Sequence, residues 1–278
     1  MRDPTDNSLS PPDIPRRRRI IAIANQKGGV GKTTTAINLG TALAAVEKKV
    51  LIVDLDPQGN ASTGLGFGRH QRSLTVYDVL LNRTAVSAAT VPSMVPGLAV
   101  VPSSVDLAGG ELELVDMERR EYRLHDELGR AAREDGFEYE YVLIDCPPAL
   151  GLLTLNALIA ANAVLVPLQC EFFALEGLTH LLNTIQRIRR RFNSRLELQG
   201  IVLTMFDRRN NLSSQVAADV RGFIGEKVYE TVIPRNVRVS EAPSHGIPIL
   251  LYDMRCAGSQ AYIHLAKEVL RREQEMFP

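Results

Sequence analysis

The run Ile20-Ile21-Ala22-Ile23-Ala24-Asn25-Gln26-Lys27-Gly28-Gly29-Val30-Gly31-Lys32-Thr33-Thr34 decides how the rest of the chain reads. Residues 20–24 are wholly aliphatic, with the length and composition of a buried strand. Helical periodicity covers residues 34–47, so Gly28, Gly29 and Gly31 fall in a loop between a strand and a helix. Glycine there lets backbone N–H groups turn inward around phosphate oxygens, and the helix N-terminus adds its partial positive charge. A glycine-rich stretch by itself is also an ordinary tight turn. Gly31-Lys32-Thr33 with both flanking elements is the context of a P-loop. In that geometry Lys32 contacts the β and γ phosphates of a nucleoside triphosphate and the Thr33 hydroxyl ligates magnesium. The loop from Lys27 through Val30 to Thr34 is therefore expected to bind and hydrolyse ATP with Mg2+.

Similar apolar runs recur at 50–53, 98–101, 141–144 and 163–167, and the more mixed stretches 198–203 and 227–232 also read as strands. Near-continuous apolar runs of this length suit parallel strands covered on both faces. Segments 124–134, 175–192, 213–224 and 259–275 carry helical periodicity between or after them. The expected class is α/β: a P-loop NTPase with a doubly wound, mostly parallel sheet and helices on both faces. No internal repeat or long linker appears, so residues 18–278 are expected to form one domain. Residues 1–17 hold Pro4, Pro11, Pro12 and Pro15 among polar residues and are expected to be a disordered tail. The basic run from Arg16 to Arg19 reads as a solvated flank or as a weak phosphate contact.

Lys plus Arg and Asp plus Glu number 32 each, so attraction to nucleic acid or membrane has to come from local clustering. Cys146, Cys170 and Cys256 are scattered without metal-ligand spacing and read as thiols in a reducing compartment. No stretch approaches the ~18 consecutive apolar residues of a membrane span, and the first residues lack a secretory apolar core. A cytoplasmic protein is expected.

Two carboxylates join the loop by position. Asp56 lies just past the second strand, at the carboxyl end where α/β sheets build their sites, and can orient water toward a γ phosphate. Asp145 ends an apolar strand as a Walker B aspartate does, and is expected to hold magnesium directly or through water. Asp54, at the same edge, has a supporting role. A lone aspartate after a strand is ordinarily a cap or turn former, but two beside a P-loop point to chemistry.

Residues 25–35, with Val53-Asp54-Leu55-Asp56-Pro57-Gln58-Gly59-Asn60 and Val142-Leu143-Ile144-Asp145-Cys146-Pro147-Pro148, resemble the deviant Walker ATPases, specifically the ParA/Soj chromosome-partitioning family. The resemblance continues through Pro167-Leu168-Gln169-Cys170-Glu171, Leu203-Thr204-Met205-Phe206-Asp207, Val232-Ile233-Pro234-Arg235-Asn236 and Ser240-Glu241-Ala242-Pro243-Ser244, nearly everything after the tail. It implies that Lys27 reaches across a homodimer to the partner's nucleotide, so that ATP joins two subunits. Taken alone, Lys27 reads as a solvent-exposed charge. It implies that Asp56 is the hydrolysis residue and that Met205, Phe206 and Asp207 after one strand, with Pro234, Arg235 and Asn236 after another, hold adenine. Proline and an apolar side chain can cover a purine face while an amide reads its edge, although both segments could equally be strand-end turns. It further implies slow intrinsic turnover, double-stranded DNA bound without sequence preference, nucleoid association, and a ParB-type centromere-binding partner that stimulates hydrolysis and release.

Arg208, Arg209, Arg235, Arg238 and Arg255, together with Arg187 and Arg189 to Arg191, are the candidate DNA-phosphate contacts. Arginines at a helix C-terminus equally compensate its dipole. One rival is a MinD-like membrane-associated cell-division ATPase, which ends in an amphipathic helix lying on lipid. Here Tyr262, Leu265, Ala266, Val269 and Leu270 form one face, but Arg271-Arg272-Glu273-Gln274-Glu275 mixes both charges and leaves only Met276 and Phe277 as late apolar residues. The segment is expected to pack on its own core, with no membrane contact. A second rival, the nitrogenase iron-protein type, needs cysteines in loops that can share a cluster. A third, a scaffold that holds ATP intact, is separated by turnover.

Overall fold

Every stretch read as a strand joins a single eight-stranded sheet in the computed structural model, which describes residues 18–276. The expected tail, Phe277 and the Met276 side chain lie outside the described residues. The strands are β1 (Arg19–Ile23), β2 (Val50–Asp54), β3 (Val91–Pro92), β4 (Leu98–Val101), β5 (Tyr141–Asp145), β6 (Ala163–Gln169), β7 (Glu197–Phe206) and β8 (Val228–Pro234). Their spatial order is β3-β4-β2-β5-β1-β6-β7-β8, and every pair is parallel except β3 with β4.

Alternate residues of each central strand feed two separate cores. Ile20, Ala22, Leu51, Val53, Val142 and Ile144 face one. Ile21, Ile23, Val50, Ile52, Tyr141 and Leu143 face the other. Because both faces are buried, the strands need apolar residues throughout, which is why they read as continuous runs. Helices Lys32–Ala44 and Ala257–Met276 cover the second face through Leu39, Leu43, Tyr262, Leu265 and Val269. Helices Ala174–Arg191 and Asn211–Ile224 cover the first through Leu178, Ile185, Val216 and Val220.

The structure adds elements that the periodicity left unread. Helix Leu152–Ala160 is buried on nearly all sides, so it lacks the one-sided pattern that marks a surface helix. Helix Val76–Asn82 is short, yet it carries a capping box between Thr75 and Asp78. Helix Asp106–Leu114 was also unread. Both sheet edges are blunted. β3 is two residues long and contains Pro92. On β8 the Glu268 carboxylate accepts the Glu230 and Thr231 N–H groups at 2.9 and 3.0 Å, and Arg272 donates to the Val228 carbonyl at 2.9 Å.

Candidate functional site

β1 lies between β5 and β6 in the middle of the sheet, where connections depart to both sides and leave a crevice at the carboxyl ends. The register aligns Ile23 with Asp145 and Asp145 with Asp54, so the start of the loop and both strand-end carboxylates share one line. Asn25 opens the loop: its amide donates to the Pro167 carbonyl at 2.8 Å, and its side-chain oxygen accepts the Lys27 N–H at 3.0 Å. Thr204 braces the far side by donating to the Val30 carbonyl at 2.8 Å. Gly29 and Gly31 take left-handed φ values of 73° and 89°, which side-chain-bearing residues rarely adopt. Gly31 begins helix Lys32–Ala44, which starts two residues earlier than its periodicity suggested and ends three earlier, at Ala44. No side chain caps that N-terminus and no acidic residue sits in its first turn, so its N–H groups and dipole face the crevice unneutralised.

Lys32 is buried, and its Nζ donates to the Lys27 carbonyl at 3.0 Å. Burial pulls its pKa down, and the charges of Asp145 and Asp56 oppose that shift. Lys27 is half exposed and forms an ion pair with Glu171 of the same chain. The first lysine is thus an exposed charge, as its position alone suggests, and a paired one.

Asp145 is fully buried, and among the described residues neither of its carboxylate oxygens has a formed hydrogen bond. Burial, with the neighbouring charges of Asp54 and Asp56, pushes its carboxyl well above the usual range, while the nearby Thr33 hydroxyl and Lys32 ammonium pull the other way. Asp54 is also fully buried but satisfied: Ser62 donates to it from its N–H at 2.8 Å and its hydroxyl at 2.6 Å. Burial still raises its pKa to about 6. Asp56 is 8% exposed, and its Oδ1 accepts the Gln58 N–H at 3.0 Å.

The two proposed base-binding segments do meet, since the Arg235 N–H donates to the Phe206 carbonyl at 3.1 Å. Their description as turns after strands needs correcting: Met205 and Phe206 are the last residues of β7, and Pro234 is the last of β8. Met205 has a left-handed φ of 49°, at a place where β7 shifts register against β8. Such a bulge re-aims side chains at a strand end. A cavity of about 880 Å³ is lined by Phe206, Asp207, Pro234 and Arg235 on the sheet and by Gln260 and His264 on the last helix. Met205 and Asn236 are not among its lining residues; Asn236 instead caps helix Val237–Glu241.

Arg208, Arg209, Arg235, Arg238 and Arg255 are all exposed. Arg209 grips Asp207 with two hydrogen bonds of 3.1 Å, which hold that carboxyl below its ordinary range. Arg238 pairs with Glu241 at 3.2 Å and with Asp253 at 3.8 Å. Arg189, Arg190 and Arg191 occupy the last turn of helix Ala174–Arg191, where they oppose its dipole. Cys146 and Cys170 are buried, and burial raises both thiols, Cys170 to about 11. A shared cluster needs exposed thiolates instead. The last helix is a core helix: Tyr262, Leu265 and Val269 are buried, and among the described residues no helix is long and apolar enough to cross a membrane. Three residues with contacts here have no role in the sequence motifs: Thr204 stands inside the run Leu203 to Asp207, Ser62 lies two residues beyond Asn60, and Arg72 has no local signal.

A central strand, an uncapped glycine loop, a buried lysine and strand-end aspartates define a P-loop nucleotide hydrolase. Residues 18–198 match a family described as an AAA domain. The chain is 65% identical over 257 residues to the chromosome partitioning protein ParA of Caulobacter vibrioides, covering 92% of this chain and 96% of that protein. It is 52% identical over 251 residues to the sporulation initiation inhibitor protein Soj of Bacillus subtilis, covering 90% and 98%. Among solved structures, cobyrinic acid a,c-diamide synthase from Mycobacterium smegmatis with bound ATP analogue and magnesium is similar, with a TM-score of 0.79 and 38% identity over 92% of this chain and 96% of that one. The cell division ATPase MinD of Pyrococcus furiosus aligns with a TM-score of 0.75 and 27% identity, covering 91% and 99%. The chain belongs to the ParA/Soj family of MinD/ParA P-loop ATPases.

Proposed function

We propose that this chain is an ATP-driven switch for DNA segregation, in which ATP with magnesium joins two copies and the joined form holds DNA. The observation that carries this reading is the meeting of an uncapped phosphate cradle with Asp145, a fully buried carboxylate whose oxygens lack a geometrically formed hydrogen bond among the described residues and lie beside the Thr33 hydroxyl. Oxygen donors left unsatisfied beside a phosphate site are what a hard divalent cation takes, so Thr33 and Asp145, backed by Asp54, would hold magnesium. There it would neutralise charge on the β and γ phosphate oxygens.

The residues of this chain do the remaining work. Backbone N–H groups from Gly28 to Thr34 hold the phosphates, and Lys32 exchanges the Lys27 carbonyl for phosphate oxygens. Asp56 orients the attacking water. Lys27, released from Glu171, reaches the nucleotide of the second copy. Adenine lies between the ends of β7 and β8, against Phe206, Asp207, Pro234 and Arg235, which line the cavity there. Arg208, Arg209, Arg235, Arg238 and Arg255 contact DNA phosphates, and pairing two copies doubles each weak contact. A ParB-type partner accelerates an otherwise slow hydrolysis, and release follows. Residues 18–278 work as one domain behind a short tail, in the cytoplasm on the nucleoid. The buried face of the last helix supports this reading over a membrane switch.

Sedimentation with ATP, with ADP and without nucleotide, with and without DNA, tests the reading. Dimer mass and DNA retention should appear only with ATP, and Asp56→Ala should retain both while losing phosphate release. Mass and retention that ignore the nucleotide would refute it.

A further inference from the structure

Asp56 leaves β2 on a turn, so its carboxylate is only as well aimed as the turn that carries it. The Asp56 carbonyl accepts the Gly59 N–H at 2.8 Å, and Gly59, at a left-handed φ of 64°, starts helix Asn60–Gly64 without a side-chain cap. Local bonds, from the Gln58 N–H to the Asp56 carboxylate and from the Thr63 hydroxyl to the Gly59 carbonyl, at 3.0 Å each, shape the turn, and a side chain from outside it ties it to the rest of the fold. The guanidinium of Arg72 donates to the Gly59 carbonyl at 3.2 Å, the Thr63 hydroxyl at 2.7 Å and the Phe67 carbonyl at 2.8 Å from Nη2. It also donates to Phe67 at 3.1 Å from Nε and to the Ser103 carbonyl at 2.9 Å from Nη1. Ser103, just past β4, donates its N–H to the Ser62 hydroxyl at 3.0 Å, and that hydroxyl holds Asp54. One side chain thus ties the turn behind Asp56 to the exit of β4 and, through Ser62, to the carboxylate beside Asp145.

This task needs an arginine. A guanidinium offers five N–H donors in a rigid plane, whereas a lysine ammonium is a single rotating point charge. We propose that Arg72 is a positioning residue for hydrolysis: by clamping Gly59, Thr63, Phe67 and Ser103 it fixes the turn that aims Asp56 at the attacking water. The proposal rests on the reading of Asp56 as the water-orienting group. The hydrogen bonds of Arg72 go to Gly59, Thr63, Phe67 and Ser103 and not to the loop from Gly28 to Thr34, so its loss should be felt in turnover and not in nucleotide binding.

The test compares full-length wild type, Arg72→Lys, Thr63→Val, Thr63→Ser and Asp56→Ala for nucleotide affinity and single-turnover hydrolysis. Arg72→Lys should bind nucleotide as wild type does and lose about ten- to a hundredfold in kcat, since a misplacement of about 1 Å can cost ~10²-fold. Thr63→Val, at an exposed position, removes one Arg72 acceptor together with the hydroxyl's own bond to the Gly59 carbonyl, while Thr63→Ser keeps both; a smaller loss of the same kind in Thr63→Val that Thr63→Ser restores keeps the proposal testable should Arg72→Lys fold poorly. Adding Arg72→Lys to Asp56→Ala should cost nothing further, because both act on one group. A wild-type kcat in Arg72→Lys while Asp56→Ala is inactive would overturn the positioning role alone. Parallel losses of affinity and kcat, or a further loss in the double variant, would also overturn it by making Arg72 merely structural. Wild-type turnover in Asp56→Ala would instead remove the reading on which the proposal stands.

Discussion

Replacing Asp145 by Asn should make the nucleotide-free protein more stable while removing its response to magnesium. The carboxylate is fully buried, without a formed hydrogen bond to either oxygen among the described residues, and faces the acidic neighbours Asp54 and Asp56. A buried ion costs several kcal/mol even after relaxation. Asparagine removes the charge but leaves amide atoms that are still unpaired, at about 1–3 kcal/mol. The balance at pH 8 is a net gain of about 1–3 kcal/mol, and with a slope of about 2–4 °C per kcal/mol for a chain of this size the melting temperature should rise by several degrees. Scanning calorimetry without nucleotide, with ATP and EDTA, and with ATP and magnesium reads both effects. In wild type the magnesium increment should be clear, because a ligand at about a hundredfold excess over its Kd stabilises by ~2.7 kcal/mol. In Asp145→Asn it should vanish. A variant that melts lower without nucleotide, yet keeps the full magnesium increment, would show that Asp145 is a structural carboxylate and refute the argument.

Three further outcomes follow from the same geometry. Asp54 at about 6 and Asp145 above its usual range both hold protons more tightly folded than unfolded, so the nucleotide-free protein should lose stability as pH rises from about 4 through 6. Asp54 alone accounts for at most about 3 kcal/mol of that loss, and urea unfolding at pH 5 and 7.5 should show Asp145→Asn with the flatter dependence. Lys32→Ala should abolish nucleotide binding, while Lys27→Ala should bind nucleotide and form a weaker ATP dimer; equal dimerisation of Lys27→Ala and wild type would remove the cross-dimer role. Arg208→Glu or Arg209→Glu should lower DNA retention and reduce the salt slope by about one per lost phosphate contact, measured by anisotropy across a salt series.

The loop, the parallel sheet and its two-sided burial were legible because they are written in near neighbours. Residues 20–24, 50–53 and 141–144 are apolar at every position, and Gly31-Lys32-Thr33 stands directly between a strand and a helix. Helix Leu152–Ala160 escaped because a helix buried all round has no period to read. The left-handed Met205 escaped because nothing in its own chemistry favours that backbone; the bulge between β7 and β8 imposes it. The cavity at the ends of β7 and β8 was legible only as two strand ends, and its walls include helix residues from far along the chain.

The order of residues was enough to establish the glycine loop between a strand and a helix, the α/β class and the place of Asp145 at a strand end with Asp56 just past another. Folding alone set their condition. Asp54 and Asp145 carry the same side chain at the same edge, yet Ser62 satisfies one while the other has no formed hydrogen bond among the described residues. Lys27 is held by Glu171, and the turn that carries Asp56 by Arg72. Burial, pairing and proton affinity depend on which atoms are nearby in space. Those neighbours are brought together by the packing of the sheet and its helices, and local pattern does not contain them.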